Sequence, residues 1–233
     1  AALEEDEPAY LAIAGAVAEI GARPKHLDAL FQAVRHAGEN PEIEHRQVVW
    51  KFGAAIGSVD ESCVPRIVKM VDDPNSTVSE TAMYALFSLG PKATVAIPTV
   101  VRKMNAGHAL APQILGAMGA KGEPAIPALI EKMQHDAWAS PRGAFMIVHY
   151  SPCASALANI GATALPALLE GLGNEQPEVR AGCLVALETM NPDLMVPQAP
   201  LLRMLRDEHP IVRGLAIRAM VKHGDPKTIK AAV

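Results

Sequence analysis

Aromatic side chains are scarce in this chain of 233 residues. It holds two Trp, three Tyr and four Phe, 4% of the total, although 50% of its residues are hydrophobic. A core built on aromatic clusters is excluded, so small and aliphatic side chains must fill the interior in thin layers. Three cysteines are too few for a disulfide scaffold and lack paired C-x-x-C spacing. No run of eighteen apolar residues appears, so no membrane-spanning helix is expected. The chain opens without Met and without a basic, then apolar, leader, and reads as a processed or excised piece. With 21 Lys and Arg against 25 Asp and Glu, the net charge of −4 lacks the basic excess of a nucleic-acid sleeve. Catalytic signatures are also missing: there is no H-E-x-x-H, no Walker glycine loop and no G-x-S-x-G. The eight histidines (26, 36, 45, 108, 135, 149, 209 and 223) have no metal-ligand spacing. No catalytic residue, cofactor or metal is therefore expected.

What is present is repetition. Gly21, Gly57, Gly90, Gly119, Gly161, Asn191 and Gly224 recur at spacings near 33 residues, the mark of a stacked repeat array. Each closes a segment with one apolar register. Eight residues before stand Ile13, Val49, Ala82, Ala111, Cys153, Cys183 and Ala216; five before, Ala16, Phe52, Ala85, Ile114, Ala156, Ala186 and Ala219. Positions −8, −5, −4 and −1 share one face of a helix. The face is mostly small, which lets neighbouring helices approach closely. The closing residue is expected in the left-handed conformation that ends a helix. Cys153 and Cys183 fall one repeat apart, about 8–10 Å, too far for a disulfide. They are expected to be buried free thiols, which leaves localisation open.

A second helix follows each closing residue. Pro65, Pro98 and Pro127 stand eight residues after Gly57, Gly90 and Gly119, and proline suits the first helical turn. Apolar pairs come next: Ile67-Val68, Val100-Val101, Leu129-Ile130, Leu168-Leu169 and Leu201-Leu202. Each unit is therefore a hairpin of two antiparallel helices that stacks on its neighbours. Units such as Val179-Arg180 with Ala186-Leu187, or Leu89-Gly90 running to Ile97-Pro98, resemble HEAT repeats of the short bacterial, PBS-lyase-like type. The resemblance covers nearly the whole chain and implies a right-handed all-α solenoid of about seven hairpins. The units run approximately over 9–42, 43–76, 77–106, 107–140, 141–177 and 178–210, with 211–233 incomplete. It says little of function, because scaffolds, transport receptors, chromophore lyases and nucleic-acid enzymes share these repeats. Iron-binding members carry His-Glu pairs, and this chain has no His-Glu dipeptide.

Two sets of residues stand out as candidate partner contacts. Lys69, Arg102, Glu131, Glu170 and Arg203 occupy equivalent places on the second helices, with Gln32 in the first unit. In the resembling family these helices usually line the concave surface. The row is basic, then acidic, then basic, which suits a protein or peptide of mixed charge better than a phosphate backbone. The second set lies in a connection nine residues longer than its counterparts, residues 134–148, which carries Trp138 and Arg142. Both are residue types enriched in binding hot spots. Tyr10, Arg46, Ser79, His108, Tyr150, Arg180 and Arg213 recur near the starts of the first helices. They are expected mainly to tie repeats together through acids such as Asp72, Asp73, Glu178 and Asp207.

The expectation is thus a non-catalytic scaffold or adaptor presenting a helical groove to a protein or peptide. Alternatives are a lyase-type accessory holding a cofactor-bearing partner, and nucleic-acid backbone binding. The sequence leaves the oligomeric state open. The acidic start (Glu4, Glu5, Asp6, Glu7) suits a polar cap, whereas 225–233 make only half a helix and suggest a longer array or a capping partner.

Overall fold

In the computed structural model the described residues are 15–16, 23–39, 44–135 and 151–224. They form helices and turns, with no strand among them. In chain order the helices are α1 (Leu27–Gly38), α2 (His45–Gly57), α3 (Val64–Met70), α4 (Ser76–Leu89), α5 (Ile97–Asn105), α6 (Ala111–Ala117), α7 (Ile126–Met133), α8 (Pro152–Ile160), α9 (Leu165–Gly171), α10 (Pro177–Thr189), α11 (Gln198–Met204) and α12 (Pro210–His223). The even-numbered helices are the first members of the hairpins and the odd-numbered ones the second. The chain gathers into two compact units, Ala1–Met118 and Gly119–Val233.

The apolar register is the core. Ala82, Ala111, Cys153, Cys183 and Ala216 at −8 are buried, as are Phe52, Ala85, Ile114, Ala156, Ala186 and Ala219 at −5. Within each unit first helices pack on first helices, α2 on α4 and α4 on α6, then α8 on α10 and α10 on α12. Because those contacts use alanine, an added isobutyl group has no space. Ala186→Leu, at the centre of α10, is expected to cost roughly 1–3 kcal/mol through overpacking. An unchanged thermal midpoint would contradict this register.

The hairpins start and turn for local reasons. Asn75 Oδ1 accepts from the Val78 N–H at 3.1 Å and Ser151 Oγ from the Ala154 N–H at 3.0 Å, capping α4 and α8. Pro65, Pro98, Pro127 and Pro166 sit in the first turn of α3, α5, α7 and α9. Short 3₁₀ turns, such as Thr94–Ala96 and Gly161–Ala164, reverse the chain between the members of a hairpin.

The closing residues divide into two kinds. Gly90, Gly119 and Gly161 take positive φ (52°, 57° and 85°), as expected. Gly57, Asn191 and Gly224 do not, which corrects the uniform reading. The end of α2 is held by Ser58, whose Oγ donates to the Ala55 carbonyl at 2.7 Å. Gly57 serves packing instead: a Cβ there would meet the Ser88 Cβ at 2.4 Å. Asn191 turns the chain with its side chain, Oδ1 accepting from the Asp193 N–H at 3.0 Å. Gly224 is extended, at φ −78° and ψ 144°.

Cys63, Cys153 and Cys183 are free and buried, as the repeat spacing implied for the last two. The 20 residues Pro152–Gly171 contain an 18-residue window of mean hydropathy 1.4. The stretch is two helices interrupted at Gly161, with Leu157 and Leu168 packed inside the protein, so it is no single spanning helix.

Candidate functional site

The second-helix row is solvent-facing throughout: Lys69, Arg102, Glu131, Glu170 and Arg203 are all exposed. Its members differ in what they meet. Arg102 reaches back one repeat to Asp72, with Nη2 to Oδ2 at 2.6 Å and Nη1 to Oδ1 at 3.1 Å. Lys103 Nζ joins the same carboxylate at 3.2 Å. The Arg102 guanidinium holds the Asp72 carboxyl below the usual carboxylate range. Arg102 is thus largely spent on its own fold, and Arg35 is similarly paired with Asp73 at 2.7 Å.

In the second unit the row becomes a groove of about 780 Å³. Ile126, Pro127, Ile130 and Glu131 from α7 form one wall, and Ala167 and Glu170 from α9 the other. The connection Gly173–Gln176 closes one end, and Val179 adds to the apolar lining. Glu131, Glu170 and Glu175 all border it, and none makes an ion pair among the described residues. Among the described residues no Lys or Arg lines it. The equivalence of Glu131 and Glu170 in the repeat is what brings both to one cleft.

That closing connection is fixed from behind by Arg180. Its Nη1 donates to the carbonyls of Asn174 and Glu175, both at 2.9 Å. Its Nε and Nη2 grip Asp207 in a bidentate pair, both at 2.8 Å. Arg180 and Asp207 are almost wholly buried, with side chains 8% and 6% exposed. Burial alone would raise the Asp207 carboxyl. The Arg180 guanidinium and the His209 N–H overcome it and hold the group below its ordinary value.

The other residues near first-helix starts behave individually. Arg213 donates to the Asp207 and Glu208 carbonyls at 2.8 and 3.0 Å, and Ser79 Oγ to the Val71 carbonyl at 2.6 Å. Half-buried His108 is pushed down by desolvation, with Glu80 opposing the shift. Arg46 is exposed and makes no ion pair among the described residues. Tyr10, Tyr150, Trp138 and Arg142 lie outside the described residues.

No group of three His, Cys, Asp or Glu able to hold a metal occurs among the described residues. The Cys183 thiol is pushed up to about 12 by burial, which makes it a core group and a poor nucleophile at neutral pH.

Residues 165–233, which span α9 to α12, match the family of HEAT repeats. Residues 165–233 are thus HEAT-type repeats, and a similar helical hairpin recurs upstream in the same register in α2-α3 and α4-α5. No curated protein matches it. Among solved structures it is similar to a designed armadillo repeat protein in complex with the peptide (KR)4. That likeness is 15% identity over 91% of each chain, with a TM-score of 0.29. A second designed armadillo repeat protein is 14% identical over 94% of this chain and 95% of that one, at a TM-score of 0.28. The HEAT-type match is confined to residues 165–233, and a fold of stacked helical hairpins supports a role in protein interaction only in general terms.

Sequence reasoning identified Glu131 and Glu170 but missed Glu175, which the turn before α10 brings to the groove. It also passed over Trp50, which stands 59% exposed on α2. At the same register position Met83, Pro112, Ala154 and Leu184 are buried, whereas Ile217 is exposed like Trp50.

Proposed function

We propose that this HEAT-type array is a non-catalytic scaffold whose α7/α9 groove takes a segment of a protein partner carrying Lys or Arg beside apolar residues. One observation carries the reading: three carboxylates without ion-pair partners among the described residues border a cleft floored by Ile126, Ile130, Ala167 and Val179. Apolar side chains of the segment would fill the floor and its cations would meet the rim. The carboxylates would then supply orientation and association rate more than raw affinity. The sequence-based expectation of a mixed-charge partner narrows, for this groove, to a positively charged one. Lys69 and Arg203 remain candidate contacts elsewhere on the second helices.

The test is a fluorescein-labelled peptide alternating Lys and Leu, titrated into the whole chain and followed by anisotropy, beside an Asp-Leu counterpart and a random DNA duplex. The expected result is saturable binding of the Lys-Leu peptide that weakens at least tenfold in the double variant Glu131→Lys, Glu170→Lys. The thermal midpoint should hardly move, because both side chains are exposed. Binding indifferent to the double reversal would overturn the reading. Tight duplex binding that falls steeply with salt would favour a nucleic-acid role instead.

A further inference from the structure

The first unit carries a second concave surface on its first helices, of different chemistry. A pocket of about 450 Å³ lies between α2 and α4. Trp50, Tyr84 and Arg46 line it, together with the pair His45–Glu80. Phe87 adjoins Tyr84, with ring centroids 5.9 Å apart and planes inclined by 53°. In a chain with two Trp and three Tyr, one of each converges on one pocket beside an unpaired Arg. Those three residue types are enriched in binding hot spots, the aromatics for contact area with few torsions to freeze and Arg for its planar fork of donors.

The fold explains why the aromatics stand open. Gly53 and Gly57 on α2 let α4 approach so closely that a Cβ on Gly53 would meet the Tyr84 Cβ at 2.8 Å. Phe52 and Ile56 of α2 and Met83 and Leu86 of α4 are fully buried, whereas Trp50 and Phe87 are left on the outside. Trp50 is 59% and Phe87 37% exposed. The pocket edge is held firm as well. His45 Nε2 lies 2.9 Å from Glu80 Oε2, joining α2 to α4, and His45 Nδ1 lies 3.3 Å from Thr77 Oγ1.

Charge decides the occupant. The Glu80 carboxylate is engaged by His45, whereas the guanidinium of Arg46 has no ion-pair partner among the described residues. Its donors are open next to two aromatic rings. We infer that this pocket docks a short segment of a protein partner bearing an aromatic or large aliphatic anchor next to a carboxylate. The anchor lies against Trp50 and Tyr84, and the carboxylate takes Arg46 in a forked pair. This site is independent of the α7/α9 groove, and its partner segment carries the opposite charge.

The experiment uses the full chain with Trp138→Phe, so that Trp50 is the sole indole. Two probes are titrated: acetyl-Gly-Asp-Phe-Leu-Asp-Gly-amide and its counterpart with Lys in place of both Asp. In the free protein the Trp50 emission is expected to be red-shifted and quenched by iodide. The acidic peptide should shift the emission to the blue, protect the indole, and bind at least tenfold tighter than the Lys peptide. Arg46→Glu, a surface change that leaves the thermal midpoint in place, should invert that preference. Equal affinity for the two peptides, or a preference that survives Arg46→Glu, would overturn the inference. An indole already shielded in the free protein, or shielding that grows with protein concentration, would also overturn it, since the pocket would then be filled by this chain or by a second copy.

Discussion

Arg180→Ala should destabilise the protein by about 3–5 kcal/mol, the usual result of removing one partner of a buried pair. The truncation strands the buried Asp207 carboxylate and frees the carbonyls of Asn174 and Glu175 from their donor. Among the described residues no second cation pairs with the Asp207 carboxylate, which keeps the His209 N–H at 2.9 Å. The expected loss in thermal midpoint is roughly 10 °C. Arg180→Lys should recover part of it, since an ammonium restores the charge without the fork. The same pair has a pH signature. The folded Asp207 carboxyl titrates below its ordinary value, about 3.9. Its contribution is therefore present in full above that value and drains away as pH falls through the lower, folded one. Urea melts between pH 6 and 2 should show an acid-side loss in the native protein that is much smaller in Arg180→Ala. A change under about 1 kcal/mol at neutral pH would mean that this pair contributes little net stability.

Gly57→Leu should cost about 3 kcal/mol or more, at the upper end for overpacking. The reason is geometric. The new Cβ would lie 2.4 Å from the Ser88 Cβ and 3.1 Å from the Ala85 carbonyl oxygen, both fixed in α4. No rotamer relieves a clash that begins at Cβ, so α2 and α4 must separate and uncover Phe52 and Leu86, now fully buried. Gly214→Ala in α12 is the matched control. A Cβ there meets nothing within 4 Å and the residue is exposed, so helix propensity should raise stability by about 0.5–1 kcal/mol. Opposite signs at two helical glycines would separate packing from propensity. A loss at Gly57 no larger than that of an ordinary surface change would show that α4 gives way easily.

The two glycines show where sequence reasoning stops. Gly57 and Gly90 occupy the same repeat position, and both were read as helix ends. Gly90 is one, at φ 52°, because its hairpin turns at once into a 3₁₀ turn. Gly57 ends its helix too but without positive φ, because Ser58 supplies the cap and the demand at Gly57 comes from a helix thirty residues onward. Arg102 is a similar case. Its spacing marked it as part of an exposed row, but Asp72, from the preceding connection, lies within reach and takes it. A period of 33 residues predicts equivalence of place; it does not predict which neighbour the place meets.

By itself the sequence determined the hairpin, the apolar register and the small-residue core. All three are local or strictly periodic: 3.6-residue spacing, proline in the first turn, and alanine where neighbouring helices touch. The family resemblance suggested an acid of a neighbouring repeat for Arg180, and the structure supplies Asp207. Tertiary structure alone decided which charges remain open. Arg102 is paired with Asp72 while Glu131, Glu170 and Glu175 have no ion-pair partner among the described residues, and Trp50 and Tyr84 line one pocket between α2 and α4. Those outcomes depend on approach distances of a few ångströms between helices a full repeat apart. Such distances follow from the volumes of all the residues between two helices, which no single spacing encodes.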